Sequence, residues 1–208
     1  ELLKKIIKHG DIVLDIGANI GFYAKLFSEF VGESGKVFCF EPDKENFSHL
    51  IKNNFPLKNV SVFNLAVSDK NETLKIYKSK LLNVDHRTYP VNNAESVEEI
   101  EAVNLDDFLL RNNIPKVDLI KIDIQGFELT AFKGMTRILE ENKNLKIITE
   151  FWPHGFRKAG TSSLEFYYFF KEKNFSFKLI DENGLQELSE KFVTENNEQI
   201  FEFSYNVL

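Results

Sequence analysis

Short apolar runs alternate with amphipathic stretches along this chain, and the alternation predicts its elements. Residues 1–9 read as a short amphipathic helix stopped by Gly10. Strands are expected at 12–16, 36–41, 60–66, 117–123, 145–151, 175–181 and near 199–206. Helices are expected at about 21–31, from Asp43 to Asn54, from Asp106 to Asn113, and at 163–173. A helix or broken helix fits 127–141, and 72–78 with 97–103 fit a hairpin pair. Alternating strands and helices are the pattern of a mostly parallel sheet with helices on both faces. No internal repeat or linker interrupts it, so residues 1–208 are expected to form a single domain.

Composition narrows the function. The chain is 43% hydrophobic and holds 21 Phe. Phe, Lys, Asn and Ile are all heavily used, as an AT-rich coding bias produces. The Phe residues therefore read as core rather than as a stacking surface for bases. Net charge is −6, with no basic patch to neutralise phosphates, which argues against a nucleic-acid partner. The single Cys39 lies in the apolar run Val37-Phe38-Cys39-Phe40, so it offers neither a disulfide framework nor a thiolate zinc site. No apolar run approaches the ~18 residues of a membrane span, and no signal peptide is visible. The expectation is a cytoplasmic protein without membrane insertion. The chain starts at Glu1 without Met, so an upstream part is expected to be missing. Oligomeric state is not legible.

Candidate chemistry begins at Asp15-Ile16-Gly17-Ala18-Asn19-Ile20-Gly21-Phe22, directly after the apolar run Ile12-Val13-Leu14. A glycine turn there is the form of a nucleotide-cofactor site. Asn19 stands where the dinucleotide fingerprint needs its second glycine, which disfavours an NAD-dependent oxidoreductase. An acidic residue two before the first glycine, and a second glycine four after it, is the pattern of S-adenosylmethionine-dependent methyltransferases. Gly17 and Gly21 would let the backbone pass close to the cofactor. The Asp15 carboxylate would meet its ammonium group. Glu41, about 20 residues past the turn and followed by Pro42, would accept from the ribose hydroxyls. As a strand-end carboxylate, Glu41 is expected to lie outside the core. Backbone groups near Ala66, with Ser68 or Asp69, would face the adenine.

The acceptor side is read from two further motifs. Lys121-Ile122-Asp123-Ile124-Gln125-Gly126-Phe127-Glu128 places Asp123 at the carboxyl end of its strand, between cofactor and acceptor. Glu128 reads as a helix-end residue favoured by the macrodipole. Glu150-Phe151-Trp152-Pro153-His154 ends the next strand, with Glu150 at the same sheet edge as Asp123. These two carboxylates could share acid–base work or hold a divalent cation. No metal is expected, because two carboxylates make a sparse hard-cation site, and activity is expected to survive EDTA. Trp152 and His154, with Gln125, would wall the acceptor pocket. The loop 79–96 is long and carries Asn83, Asp85, His86, Arg87 and Tyr89, the composition of a lid or binding loop. An unperturbed imidazole titrates near pH ~6.5, so His86 is a candidate base. Arg87 suits an anionic acceptor.

Together these motifs resemble the FkbM family of methyltransferases. The carriers are Asp15-x-Gly17-x-Asn19-x-Gly21, Phe40-Glu41-Pro42, Asn64-x-Ala66-x-x-Asp69, Leu105-Asp106-Asp107-Phe108 and Lys121-Ile122-Asp123-Ile124-Gln125-Gly126-x-Glu128. Many family members have Glu where this chain has Gln125. Gln125 with Glu150-Phe151-Trp152-Pro153 marks a subgroup. The resemblance implies a class I methyltransferase fold, Rossmann-like, with a seven-stranded mostly parallel sheet whose last strand is antiparallel. It implies transfer of a methyl group from S-adenosyl-L-methionine to a hydroxyl of a small molecule, sugar or polyketide-like acceptor. The expected catalytic residues are Asp123, His86 and Glu150. The rivals are a divalent-cation-dependent O-methyltransferase and a cofactor-binding scaffold without turnover.

Overall fold

The computed structural model describes residues 2–54, 56–79, 94–181, 184–196 and 205–207. Its main sheet is built on β1 (Ile12–Ile16), whose buried Val13, Leu14, Asp15 and Ile16 form a central strand covered on both faces. On one side β1 pairs in parallel with β2 (Lys36–Phe40), and β2 with β3 (Val60–Phe63). β4 (Ala66–Ser68), β5 (Glu72–Ser79) and β6 (Ala94–Asn104) form a separate three-stranded sheet. On the other side β1 pairs in parallel with β7 (Leu119–Ile122), and β7 with β8 (Lys146–Phe151). The order β3-β2-β1-β7-β8 therefore reverses direction at β1, so a crevice opens at the carboxyl ends of β1 and β7.

Beyond β8 the sheet continues through β9 (Lys178–Asp181), β10 (Gly184–Glu187) and β11 (Tyr205–Val207), in the spatial order β8-β11-β9-β10. β11 is antiparallel to both β8 and β9. The expected count of seven is corrected to eight among the described residues, because β10 returns as an edge hairpin on β9. The expected strand at 60–66 is also corrected. It is two strands on two sheets, and Asn64 marks the break. Its Nδ2 donates to the carbonyl oxygens of Glu41 and Pro42, both at 2.9 Å, so a side chain ties the chain to the end of β2 where the ladder stops.

Helices cover both faces. α1 (Leu2–Ile6), α2 (Phe22–Val31) and α3 (Lys44–Asn54) belong to the first half. Ala24, Phe27 and Val31 of α2 pack with Val13, Val37 and Cys39, which makes the cysteine a core residue. α4 (Leu105–Arg111) is capped by Asn104, whose Oδ1 accepts from Asp107 N. The long helix of 127–141 is broken into α5 (Glu128–Lys133) and α6 (Thr136–Glu141). Asp106 holds the break by accepting from Arg137 N and Ile138 N. α7 (Pro153–Lys158), α8 (Ser163–Glu172) and α9 (Glu190–Asn196) complete the second half. Phe132, Phe151, Phe156, Phe166 and Phe170 join in one ring cluster beneath β8, as the core reading of Phe expected. Among the described residues no helix is long and apolar enough to cross a membrane.

Candidate cofactor and acceptor site

The turn after β1 is held from β2 and from β7. Gly17 N and Ala18 N both donate to Phe40 O, which ties the turn to the end of β2. Lys121 Nζ donates to Gly17 O at 3.1 Å from β7. Asn19 adopts φ 52°, a left-handed conformation that asparagine tolerates better than most side chains. Gly17 has φ 74°, and a Cβ on it would stand 2.0 Å from the Asp123 carbonyl oxygen. The missing side chain makes room for the neighbouring strand end, where the sequence had suggested room for a ligand. α2 starts at Gly21 without a side-chain cap, leaving its first N–H groups at the mouth of the turn. Ile20 and Phe22 beside it are exposed.

Asp15 lies beneath this turn with no exposed surface. Its Oδ1 is 3.4 Å from Lys121 Nζ, and the ammonium also sits 5.3 Å from the centre of the Tyr23 ring. Burial pushes the Asp15 carboxyl up, and Lys121 opposes the shift. Burial pushes Lys121 down, but Asp15 and Asp123 together carry it above its usual value, so the ammonium stays charged. Asp15, expected to meet a bound ammonium group, is enclosed here and faces Lys121. It holds Lys121 in place, and Lys121 holds Gly17.

Glu41 is also more interior than expected, at 5% exposure. Its Oε2 accepts from Asn19 N at 2.8 Å and its Oε1 from Asp43 N at 2.9 Å. Each oxygen keeps a second lone pair, which is the acceptor set two donating ribose hydroxyls need. Burial raises its pKa from 4.5 to about 7, against the two backbone N–H groups. This gives a pH prediction with a definite sign. The folded carboxyl holds its proton more tightly than the unfolded one, so its stabilising contribution is complete below 4.5 and is lost as pH rises to about 7. Urea unfolding should show stability falling across that window by up to ~1.4 kcal/mol per pH unit from this group. Glu41→Gln should flatten the slope; an unchanged slope would mean that Glu41 does not titrate there.

The acceptor side forms at the ends of β7 and β8. Asp123 N donates to Ile16 O, which places the exposed Asp123 side chain beside the cofactor turn. Gln125 has φ 58° and donates from Nε2 to Asp123 Oδ1 at 3.1 Å. A Cβ on Gly126 would stand 2.5 Å from Gly155 O, so this turn packs directly on α7. Trp152 is buried and its ring lies 5.9 Å from that of half-buried His154. Glu128, read from sequence as a helix-end residue, is wholly buried. Its Oε1 accepts from Ile124 N and Gly126 N, and one oxygen each of Asp123, Glu128 and Glu150 lie within 4.8 Å of one another. Burial, then the charge of Glu150, raises Glu128 to about 8. Nothing in the spacing showed that this carboxylate turns inward to tie its own turn. The buried Ala66 begins β4, and Ser68 Oγ donates to Glu72 Oε1, so Ser68 is engaged within its own sheet. Pro42 is half-buried at the end of β2. Asn83, Asp85, His86, Arg87 and Tyr89 lie outside the described residues.

Comparison with known proteins now decides the family. The model of the methyltransferase FkbM domain matches residues 15–181, from the first carboxylate of the turn to the end of β9. The chain belongs to the FkbM methyltransferase family. It is 26% identical over 141 residues to the hexuronic acid methyltransferase AglP of Haloferax volcanii, covering 67% of this chain and 56% of that protein. It is 26% identical over 159 residues to the 2-O-methyltransferase NoeI of Sinorhizobium fredii, covering 69% of this chain and 65% of that protein. The chain thus spans somewhat over half the length of the curated relatives it matches. A crystal structure of an FkbM methyltransferase from Methylobacillus flagellatus superposes with a TM-score of 0.55 at 14% identity, over 95% of this chain and 43% of that one. That likeness is one of fold. Within the FkbM family pattern, the five parallel strands and their carboxyl-end crevice are this chain's version of the class I methyltransferase core.

Proposed function

We propose that this FkbM domain transfers a methyl group from S-adenosylmethionine to a hydroxyl oxygen of a sugar or other small-molecule acceptor. One observation carries the reading: the Asn19 turn, Glu41 and Asp123 meet at the carboxyl ends of β2, β1 and β7, in a chain whose family is methyltransferases. The sugar preference is supported by the hexuronic acid and 2-O-methyl activities named for the two relatives. The cofactor supplies an activated methyl group when bound. Glu41 would hold the ribose hydroxyls. The turn Gly17-Ala18-Asn19 would line the cofactor, and the uncapped start of α2 at Gly21 and Phe22 would favour its carboxylate. Pro42 and Ala66 would border the base. Asp123 would orient the acceptor hydroxyl or take its proton, and Gln125 would hold Asp123 in place. Glu150 stands behind Asp123. Trp152 and His154 would bound the acceptor, with His86 and Arg87 delivered from the loop 79–96. A single domain, a cytoplasmic location and no nucleic-acid partner accord with the acidic composition and remain part of the proposal.

S-adenosylhomocysteine should raise the melting temperature and NAD should not, because only a ligand of the native state stabilises it. Glu41→Ala should weaken that binding by ~1–3 kcal/mol, the scale of hydrogen bonds to a charged group. It should also lower stability, since two backbone N–H groups lose their acceptor. Stabilisation by NAD alone would overturn the cofactor assignment. A labelled-methyl screen over uronic acids, neutral sugars and phenols would then test the acceptor class, and transfer to phenols alone would overturn the sugar reading.

A further inference from the structure

We infer that Asp123, Glu128 and Glu150 form a binding site for a hard divalent cation, magnesium, manganese or calcium, at the acceptor end of the crevice. The inference deepens the methyltransferase reading and rests on it for the role of the ion. The sequence offered two carboxylates, too sparse a set; the fold adds a third. One oxygen from each comes within 4.8 Å of the others, on three different segments: the end of β7, the first turn of α5, and β8. Oxygen ligands on opposite sides of a calcium ion stand about 4.6–5.2 Å apart, and across magnesium about 4.0–4.2 Å. Two ligands of one ion cannot stand farther apart than these limits, so a spread of up to 4.8 Å lies within the calcium limit and must contract for magnesium.

Clustered acidic groups alone would not make a site. The second observation is Glu128. It has no exposed surface, its Oε1 is occupied by two backbone N–H groups, and its enclosed Oε2 accepts no hydrogen bond. A buried carboxylate oxygen left without a partner is costly. Two neighbouring carboxylates make it costlier still, and a cation held by Oε2 would offset both. The site is graded outward, from buried Glu128 through half-buried Glu150 to exposed Asp123, so an ion would keep an open side toward the crevice. Three carboxylates leave coordination positions for water or for two adjacent hydroxyls of a sugar, the arrangement a vicinal diol provides. The ion would thereby place the acceptor, and Asp123 would act on it through the metal.

Manganese binding to the whole chain, followed by electron paramagnetic resonance, tests the site without any turnover. The expected result is one saturable ion, displaced by magnesium or calcium at matched ionic strength. Glu150→Gln and Asp123→Asn should each weaken it about tenfold or more while the fold, checked by circular dichroism, is kept. Glu128→Gln is a poorer probe, because Glu128 also ties the turn at Ile124 and Gly126. No saturable ion, or one indifferent to both substitutions, overturns the site. Calorimetry with S-adenosylhomocysteine on the same protein separates the two readings. Cofactor binding without an ion refutes only the metal, and an ion without cofactor binding refutes only the methyltransferase.

Discussion

Gly17→Ala should cost several kcal/mol of stability and abolish S-adenosylhomocysteine binding, although it adds a single methyl group. Two penalties combine. A φ of 74° places an alanine in the left-handed region, at about 1–2 kcal/mol. The new Cβ would also stand 2.0 Å from the backbone oxygen of Asp123 and 3.1 Å from the Ile124 side chain. Backbone cannot step aside as the end of a flexible side chain can, so the turn after β1 and the end of β7 must separate. Overpacking of this kind adds about 1–3 kcal/mol or more. Gly160→Ala is the matched control. Its φ is 83°, but nothing lies within 4 Å of the added Cβ, so only the conformational penalty remains. Urea unfolding of both variants separates the terms. Equal losses would mean that β1 and β7 do not approach at Gly17 as described.

That contact also shows how the sequence could be read and where it could not. The apolar run at 12–16 and the glycines after it announce a strand and a turn, because a local pattern determines both. What the glycine avoids lies more than a hundred residues away, and no spacing encodes it. The same holds at Asp15 and Glu41. Their positions at strand ends are local facts, but the enclosure of Asp15 depends on Lys121 arriving from β7, and that of Glu41 on the Asn19 turn. Glu128 fits a helix start equally well pointing outward or inward, and only the turn at 124–126 selects the inward rotamer. Asn64 breaks an apparently continuous strand through a side-chain hydrogen bond that hydropathy does not register. α7 was not expected from the sequence, because proline and glycine so close together usually punctuate a loop. Pro153 in fact opens the helix, where its missing N–H costs nothing, and Gly155 lets the helix close on Trp152 and Gly126. β10 and α9 lie in a segment of mixed charge with weak periodicity, where tertiary contacts choose the outcome.

Lys121→Met is expected to destabilise the protein by about 3–5 kcal/mol near neutral pH, the usual cost of removing one partner of a buried ion pair. Methionine matches the length of the lysine stem, so packing is nearly conserved and the loss is electrostatic. Asp15 then remains enclosed with no opposing charge, and Gly17 O loses its donor. The cost should depend on pH in a definite direction. Burial already raises Asp15, and Lys121 is the main influence opposing that rise, so its removal lifts the folded carboxyl further. Protonation then relieves the variant in acid. Stability of Lys121→Met should fall below wild-type values least at low pH and most as pH rises through the elevated folded value, so the gap between the two proteins widens with pH. Asp15→Asn in the same background should recover part of the loss at high pH, because it removes the stranded charge. Cofactor affinity should not recover with it, since the tether on Gly17 is still missing. That split tells a positioning lysine from one that only balances charge. A pH-independent penalty, or full recovery of S-adenosylhomocysteine binding in the double variant, would show that Lys121 does not hold the cofactor turn.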